Sequence, residues 1–420
     1  MRAKAFKKNL ILILAGLLFL SPACKETDSN EEFKQILPIV LAGLYLNSFT
    51  FCLPPTDEAG AAVSNQVNLL AHVETRASGP IRARDVWGFT DAVGGEYAVL
   101  SHTEGTLIYD VTNPAAPTTA ADIPGARSMH RDVKTLSVNT TPGSFQAYAY
   151  VVNESEGGMD IINLANVPAS ASALPAFTGF QTAHNIFIHE TASPPILYVV
   201  GSPNAEGGIL AYSLADPANP ALLGSWAGKY VHDVYVSSNW ADPAYNGREI
   251  ALAFARDTVE ILDVSDKSNI TVLSSLTYPQ VGYVHSGWVG SNGRYLYIHD
   301  ELDEMLRRTN TRTIVADLID LANPSIVATW TSSGRDMDHN GVTNGSFHYI
   351  SHYTAGLTVL DVSDPLNPTR AGWYDTFNAA TEPPSCGFDG SWGVYPLLPS
   401  RNILLSDINK GLYIMDFLGD

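Results

Sequence analysis

The sequence contains no Walker loop, no glycine-rich dinucleotide turn after a strand, no HExxH and no GxSxG. The commonest nucleotide, zinc-protease and α/β-hydrolase signatures are therefore missing. Positive charge is scarce too: 24 Lys and Arg stand against 43 Asp and Glu, for a net charge of −19. Such a surface repels nucleic-acid phosphates, so no nucleic-acid partner is expected, and it favours cations or basic partners. Cysteine is limited to Cys24, Cys52 and Cys386. An apolar content of 45% is ordinary for a chain with a sizeable core.

The N-terminus reads as an address. MRAKAFKKN is basic, LILILAGLLFL is apolar, and SPAC follows. The arrangement resembles a bacterial lipoprotein signal, which implies cleavage after residue 23, lipid on Cys24 and attachment to the membrane through that lipid. Ser21 stands where the pattern prefers Leu, and ordinary secretory cleavage after Ala23 is the alternative. Either route exports the protein. Lys25, in place of an inner-membrane-retaining Asp, points to the outer membrane or cell surface. Losing residues 1–23 removes Arg2, Lys4, Lys7 and Lys8, which takes the charge from −19 to −23. Residues 24–65 form a tether, polar at first and apolar over 36–51. Pro38, Gly43, Asn47, Ser48 and Thr50 interrupt that stretch, which falls short of a membrane span and reads as packed on the domain or lying at the interface. In an oxidising compartment Cys52 and Cys386 are expected to form a disulfide.

The remainder, 66–420, repeats. TLIYDVTNPAAP, GGILAYSLADPANP, TVEILDVSDKSN and GLTVLDVSDPLNP share one form, anchored at Asp110, Asn163, Ser213, Asp263, Asp317, Asp361 and Asp416. The intervals run from 44 residues (Asp317 to Asp361) to 55 (Asp361 to Asp416), a spacing that signals a solenoid or propeller. Each copy alternates like a strand and ends in a residue able to cap a turn, followed in most copies by proline. Helical periodicity is absent, which excludes a helical solenoid. HDVYVSS, REIALAFA, TVEILDV and TVLSSLTY make one four-stranded meander, the blade of a β-propeller. The seventh unit has three strands, and QVNLLAHVET (66–75) is the candidate for its missing outer strand. The predicted fold is all-β, a seven-bladed propeller closed by an N-terminal strand in the last blade, with six or eight blades as alternatives.

YVHDVYV, GREIALAF, ILDVSDKSN, VGYVHSGWV, HDELDE, DHNGV, AGLTVLDVSD, GSWGVYP and GLYIMDF occur in that order. The series resembles the LVIVD-repeat, choice-of-anchor B proteins over roughly residues 66–420. The resemblance implies a propeller-like domain at the surface or outside the cell and carries no reaction with it.

Tyr-Val-His occurs twice, ending at His232 and His285, and both histidines begin an innermost strand. So do His130, His184 and His339, with Trp87 and Trp392 near that point in blades one and seven. Up-and-down topology brings the ends of second strands to the same face, adding His102, Glu154, Asp257, His299, Asp300, Glu301, His352 and Asp407. Asp233 and Asp338 join them. The candidate ligand face is His130, His184, His232, Asp233, His285, His299, Asp300, Asp338 and His339. Inner-strand histidines also serve as hydrogen-bonded struts between blades, and HDELDE also reads as a solvated loop neutralised by LRRTNTR. Two function classes stay open. One is a binding module for a protein, glycan or small ligand. The other is a metal-dependent hydrolase or oxidoreductase with one divalent ion in the channel mouth. With no HxH or CxxC pair, binding ranks first.

Replacing Cys24 by Ala is expected to move the protein from the membrane fraction to the soluble fraction. A variant still pelleting with membranes would assign anchorage to residues 36–51.

Overall fold

Alternating apolar residues and capped turns cut the chain into short strands. In the computed structural model those strands form seven antiparallel sheets arranged as the blades of a β-propeller. The structure describes residues 64–75, 81–139, 143–377 and 388–419. Cys24, the 36–51 stretch, Cys52 and Cys386 lie outside the described residues.

Blade four shows the plan. Asp233–Ser237, Ile250–Phe254, Val259–Asp263 and Thr271–Leu276 pair in sequence from the axis outward. The third strand stops where its last residue captures the following turn. Oδ1 of Asp110, Asn163, Asp263, Asp317 and Asp361 accepts the backbone N–H two residues on, at 2.9–3.0 Å. Ser213 does the same through its hydroxyl at 3.2 Å. These side chains substitute for a further ladder bond and turn the chain. The second strand of blade four ends at Phe254, earlier than expected, because Arg256 adopts a left-handed φ of 69° and turns the chain ahead of Asp257.

The expected closure is present. Val67–Val73 pairs with Gly411–Phe417, from Val67 opposite Phe417 to Val73 opposite Leu412. The register skips Leu70, and the outer strands of five other blades skip Ala120, Leu223, Leu273, Val327 and Ala371 at the matching point. Such a bulge bends and twists an outer strand. The N-terminal strand therefore has the detailed form of an outer strand. Just before it, Ser64–Asn65 pairs with Trp373 and Tyr374 on the outer edge of blade six, so one segment spans the last two blades.

Apolar side chains fill the gaps between neighbouring blades. Val67, Val359, Leu405 and Met415 pack between blades six and seven, and Val86, Leu107, Leu404 and Ile414 between seven and one. Burying one such side chain contributes about 1.5–3 kcal/mol.

Deleting residues 64–73 exposes the Gly411–Phe417 edge and uncovers part of the two cores beside it. The expected result is aggregation on size exclusion and a lower melting temperature. A monodisperse truncation that melts like the full chain would show that closure does not hold the ring.

Candidate functional site at the channel mouth

The start of each innermost strand faces the axis, so the residues there meet around it. His130, His184 and His232 immediately precede Arg131–Asn139, Asn185–His189 and Asp233–Ser237, and His339 precedes Asn340–Asn344. His285 and Trp392 are each second in their strands, Val284–Val289 and Ser391–Tyr395. Their rings form a closed circuit. Centroids are 5.4 Å apart for His130–His184, 3.9 Å for His184–His232, 4.3 Å for His232–His285 and 4.4 Å for His285–His339. Trp392 completes it, 4.6 Å from His339 and 5.4 Å from His130. Blade one contributes Arg84, whose guanidinium carbon stands 5.1 Å from the Trp392 ring centroid.

Each strut bond also sets a tautomer. His285 Nδ1–H donates to the His339 carbonyl at 3.0 Å, and His339 Nδ1–H donates to the Trp392 carbonyl at 2.5 Å. A carbonyl accepts only, so both Nδ1 atoms carry the proton and both Nε2 atoms carry a lone pair. Burial holds these two imidazoles well below their ordinary pKa, and their histidine neighbours add to the effect. They are neutral at neutral pH. The Tyr-Val-His repeat has a local meaning as well: the Tyr283 hydroxyl, from the second copy, lies 2.9 Å from Nδ1 of His232, in the first.

Two clusters on the ring bring three metal-ligating side chains close enough to share an ion. His285, Glu301 and His339 each offer a ligand atom within 4.8 Å of the others, and so do His130, Glu154 and His184. Both follow one rule. Each takes the histidine of a blade, the glutamate directly after that blade's second strand, and the histidine of the next blade. In the first cluster His285 Nε2 is 3.8 Å from Glu301 Oε2, while the Tyr353 hydroxyl donates to Glu301 Oε1 at 2.6 Å. All three residues are buried. In the second, His184 Nδ1 lies 2.6 Å from Glu154 Oε1, and His130 and Glu154 are partly exposed. Ligand atoms about 2.0–2.2 Å from a tetrahedral metal lie roughly 3.4 Å apart, so His285 and Glu301 would draw closer while His184 and Glu154 would separate. Glu154 and Glu301 were outside the candidate set. Their shared offset from the ends of strands Gln146–Asn153 and Tyr295–Asp300 is the signal that marks them.

Other candidates lie off the ring. His299 ends a second strand, farther from the axis, where Nδ1 meets Asp338 Oδ2 at 2.9 Å and Nε2 meets His348 Nε2 at 2.9 Å. His299 and Asp338 are fully buried. Gly341 makes room for the imidazole pair, because a Cβ there would collide with His299 Nε2. Asp300 accepts the backbone N–H groups of Gly282 and Tyr283 and the Tyr278 hydroxyl, so it pins the loop before His285. HDELDE is buried throughout and is not a solvated loop. Its neutralisation by LRRTNTR is present in part: Asp303 accepts from Arg312 and from Thr309.

One residue deeper, Asp233 joins Asp85, Asp132, Lys134, Trp87 and Trp288 around a cavity of about 40 Å³, with room for a few waters. Burial raises the Asp233 pKa to about 6. Lys134 donates to Asp132 Oδ1 at 2.8 Å and to Asp85 Oδ2 at 3.0 Å, and its ammonium stands 4.5 Å from the Trp87 ring centroid. Burial opposes the lysine's charge, but Asp132 and Asp85 outweigh it and raise its pKa. The two carboxylates also accept backbone N–H groups of Val133 and Ile186, which ties blades one, two and three together.

No protein-family model matches this chain, and no curated protein does.

Lys134→Met would leave Asp85 and Asp132 buried without their cation, an expected loss of about 3–5 kcal/mol. Denaturant unfolding monitored by tryptophan fluorescence measures it. A loss under about 1 kcal/mol would mean that the lysine pair with the two carboxylates does not stabilise this layer.

Proposed function

We propose that this chain is an exported, lipid-anchored propeller of the LVIVD-repeat, choice-of-anchor B kind, a surface binding module whose channel mouth takes a divalent transition-metal ion on His285, Glu301 and His339. One observation carries the reading: both imidazoles spend Nδ1–H on a carbonyl, which leaves the lone pair on Nε2, and a ligand atom of each lies within 4.8 Å of Glu301. Anchored imidazoles with a hydrogen-bonded carboxylate are the usual arrangement around a bound metal. Two histidines and one glutamate suit zinc, manganese or ferrous iron, and a bound cation would offset the cost of the buried carboxylate. Cys24 and the basic and apolar segments before it support export and anchorage; a protein, glycan or small ligand would reach the mouth from outside the cell.

The second reading, a metal-dependent enzyme, draws on the His130–Glu154–His184 group. That group is partly exposed, and a metal on three protein ligands there would keep an open position for water or substrate.

Metal analysis of protein purified without chelator tests the first reading, together with melting in added Zn²⁺, Mn²⁺ or Fe²⁺. An ion at 100 times its Kd is expected to add about 2.7 kcal/mol. Asn substitutions at 285 and 339 keep a donor near the Nδ1 position and remove Nε2. The double variant should fold and lose the metal. No bound metal, no stabilisation by any added ion and an unchanged response in the double variant would together reduce the histidines to struts between blades.

A further inference from the structure

Blade one breaks the ring's pattern with a guanidinium. Arg84 is 3% exposed. Its Nη1 donates to the Ala83 carbonyl at 2.7 Å, its Nε donates to the Met129 carbonyl, and its Nη2 has the Met129 thioether at 3.9 Å. Among the described residues it forms no ion pair with a carboxylate; Asp389, 4.0 Å from Arg82, also attracts it, but not as an ion pair. The other deeply set arginines differ. Arg131 meets Asp160 at 2.6 Å, and Arg312 meets Asp303. A buried guanidinium without an ion pair is costly. Burial and Arg82 lower the Arg84 pKa to about 10, so the group remains charged at neutral pH.

The cover over Nη2 is weak and removable. A thioether is a poor acceptor, and Met129 is half exposed on an unbranched, flexible side chain. Beneath the guanidinium, Trp392 packs against both His339 and His130. The Arg84 donors therefore face the same mouth as the two histidine–glutamate groups.

We propose that Arg84 is an anion-binding residue of the channel mouth, where an oxyanion, the phosphate or carboxylate group of a small ligand, displaces the Met129 thioether and pairs with Nη2. The assignment of Arg84 stands on its own contacts. That the same ligand also meets the metal rests on the metal reading above. A ligand with one anionic group fits this mouth, held by Arg84 on one side and by a metal on the other. Arg84, Met129 and Trp392 then select for charge, and the histidine–glutamate groups hold the cation.

The test uses the whole protein stripped of metal by chelator, so that failure of the metal reading leaves the outcome intact. Inorganic phosphate and acetate are titrated separately at constant ionic strength, with calorimetry or melting temperature as the readout. At least one is expected to bind saturably, and which one does assigns the phosphate or carboxylate class. Arg84→Gln should weaken that binding roughly tenfold to hundredfold, while Met129→Ala leaves it unchanged or tightens it. Arg84→Lys, which keeps the charge without the fork, covers the case in which the glutamine variant does not fold, and should also bind more weakly. Saturable binding of neither anion, or binding undiminished by the Arg84 substitutions, overturns the proposal. Adding Zn²⁺ to the wild type then asks whether the two sites share a ligand: tighter anion binding says they do, and unchanged affinity confines the anion to Arg84.

Discussion

A ring of blades has two ends, and each end is a row of unpaired backbone groups until something joins them. Here the join is the ladder between Val67–Val73 and Gly411–Phe417. Everything at the axis depends on it. Closure fixes how far each innermost strand stands from its neighbours, and so whether side chains at the strand starts touch. The closing strand shares the bulge of five other outer strands, so it twists and bends as they do. Ser64–Asn65 extends the clasp into blade six.

Around the axis the chain sets chemistry in tiers. Imidazoles line the mouth, carboxylates and one ammonium line the cavity below, and Trp87, Phe187 and Trp288 gather deeper, with centroids of 6.0–6.2 Å between neighbours. The order follows from one strand geometry repeated seven times, since equivalent positions in successive blades meet at the same depth. Lys134 supplies the middle tier with a cation from within the chain, paired with Asp85 and Asp132. At the mouth Glu154 and Glu301 meet imidazoles, and the Arg84 guanidinium forms no ion pair with a carboxylate among the described residues. A cation for the first and an anion for the last would complete the balance from outside.

Strut and ligand are often opposed as explanations for a buried histidine. In this protein the two nitrogens of one ring separate them. Nδ1 binds the next blade, and by doing so holds Nε2 as a lone pair in a fixed direction. The same bond that keeps blade five against blade six thus prepares a ligand. His299 shows the other outcome: with Asp338 on one nitrogen and His348 on the other, both are used within the protein.

By itself the sequence determined the blade number, the closing strand, the turn-capping residues and the face on which the histidines collect. All of these follow from local alternation, capping chemistry and a repeat length, which are properties of short segments. It also marked the five histidines of the ring, since they share one position in the repeat. Tertiary structure alone decided which neighbours meet. His102, His299 and His352 are on the same face, but they end second strands and so lie off the ring, because distance from the axis is set by strand order within a blade. HDELDE looked like a surface loop, yet its acidic side chains are buried, with Asp300 held by the backbone of the preceding loop and Asp303 by Arg312. Glu154 and Glu301 became partners of histidines, and Arg84 came to stand beside Met129 and Trp392, only when seven distant segments were brought around one axis. Contacts of that kind depend on three-dimensional closure, and no local pattern encodes them.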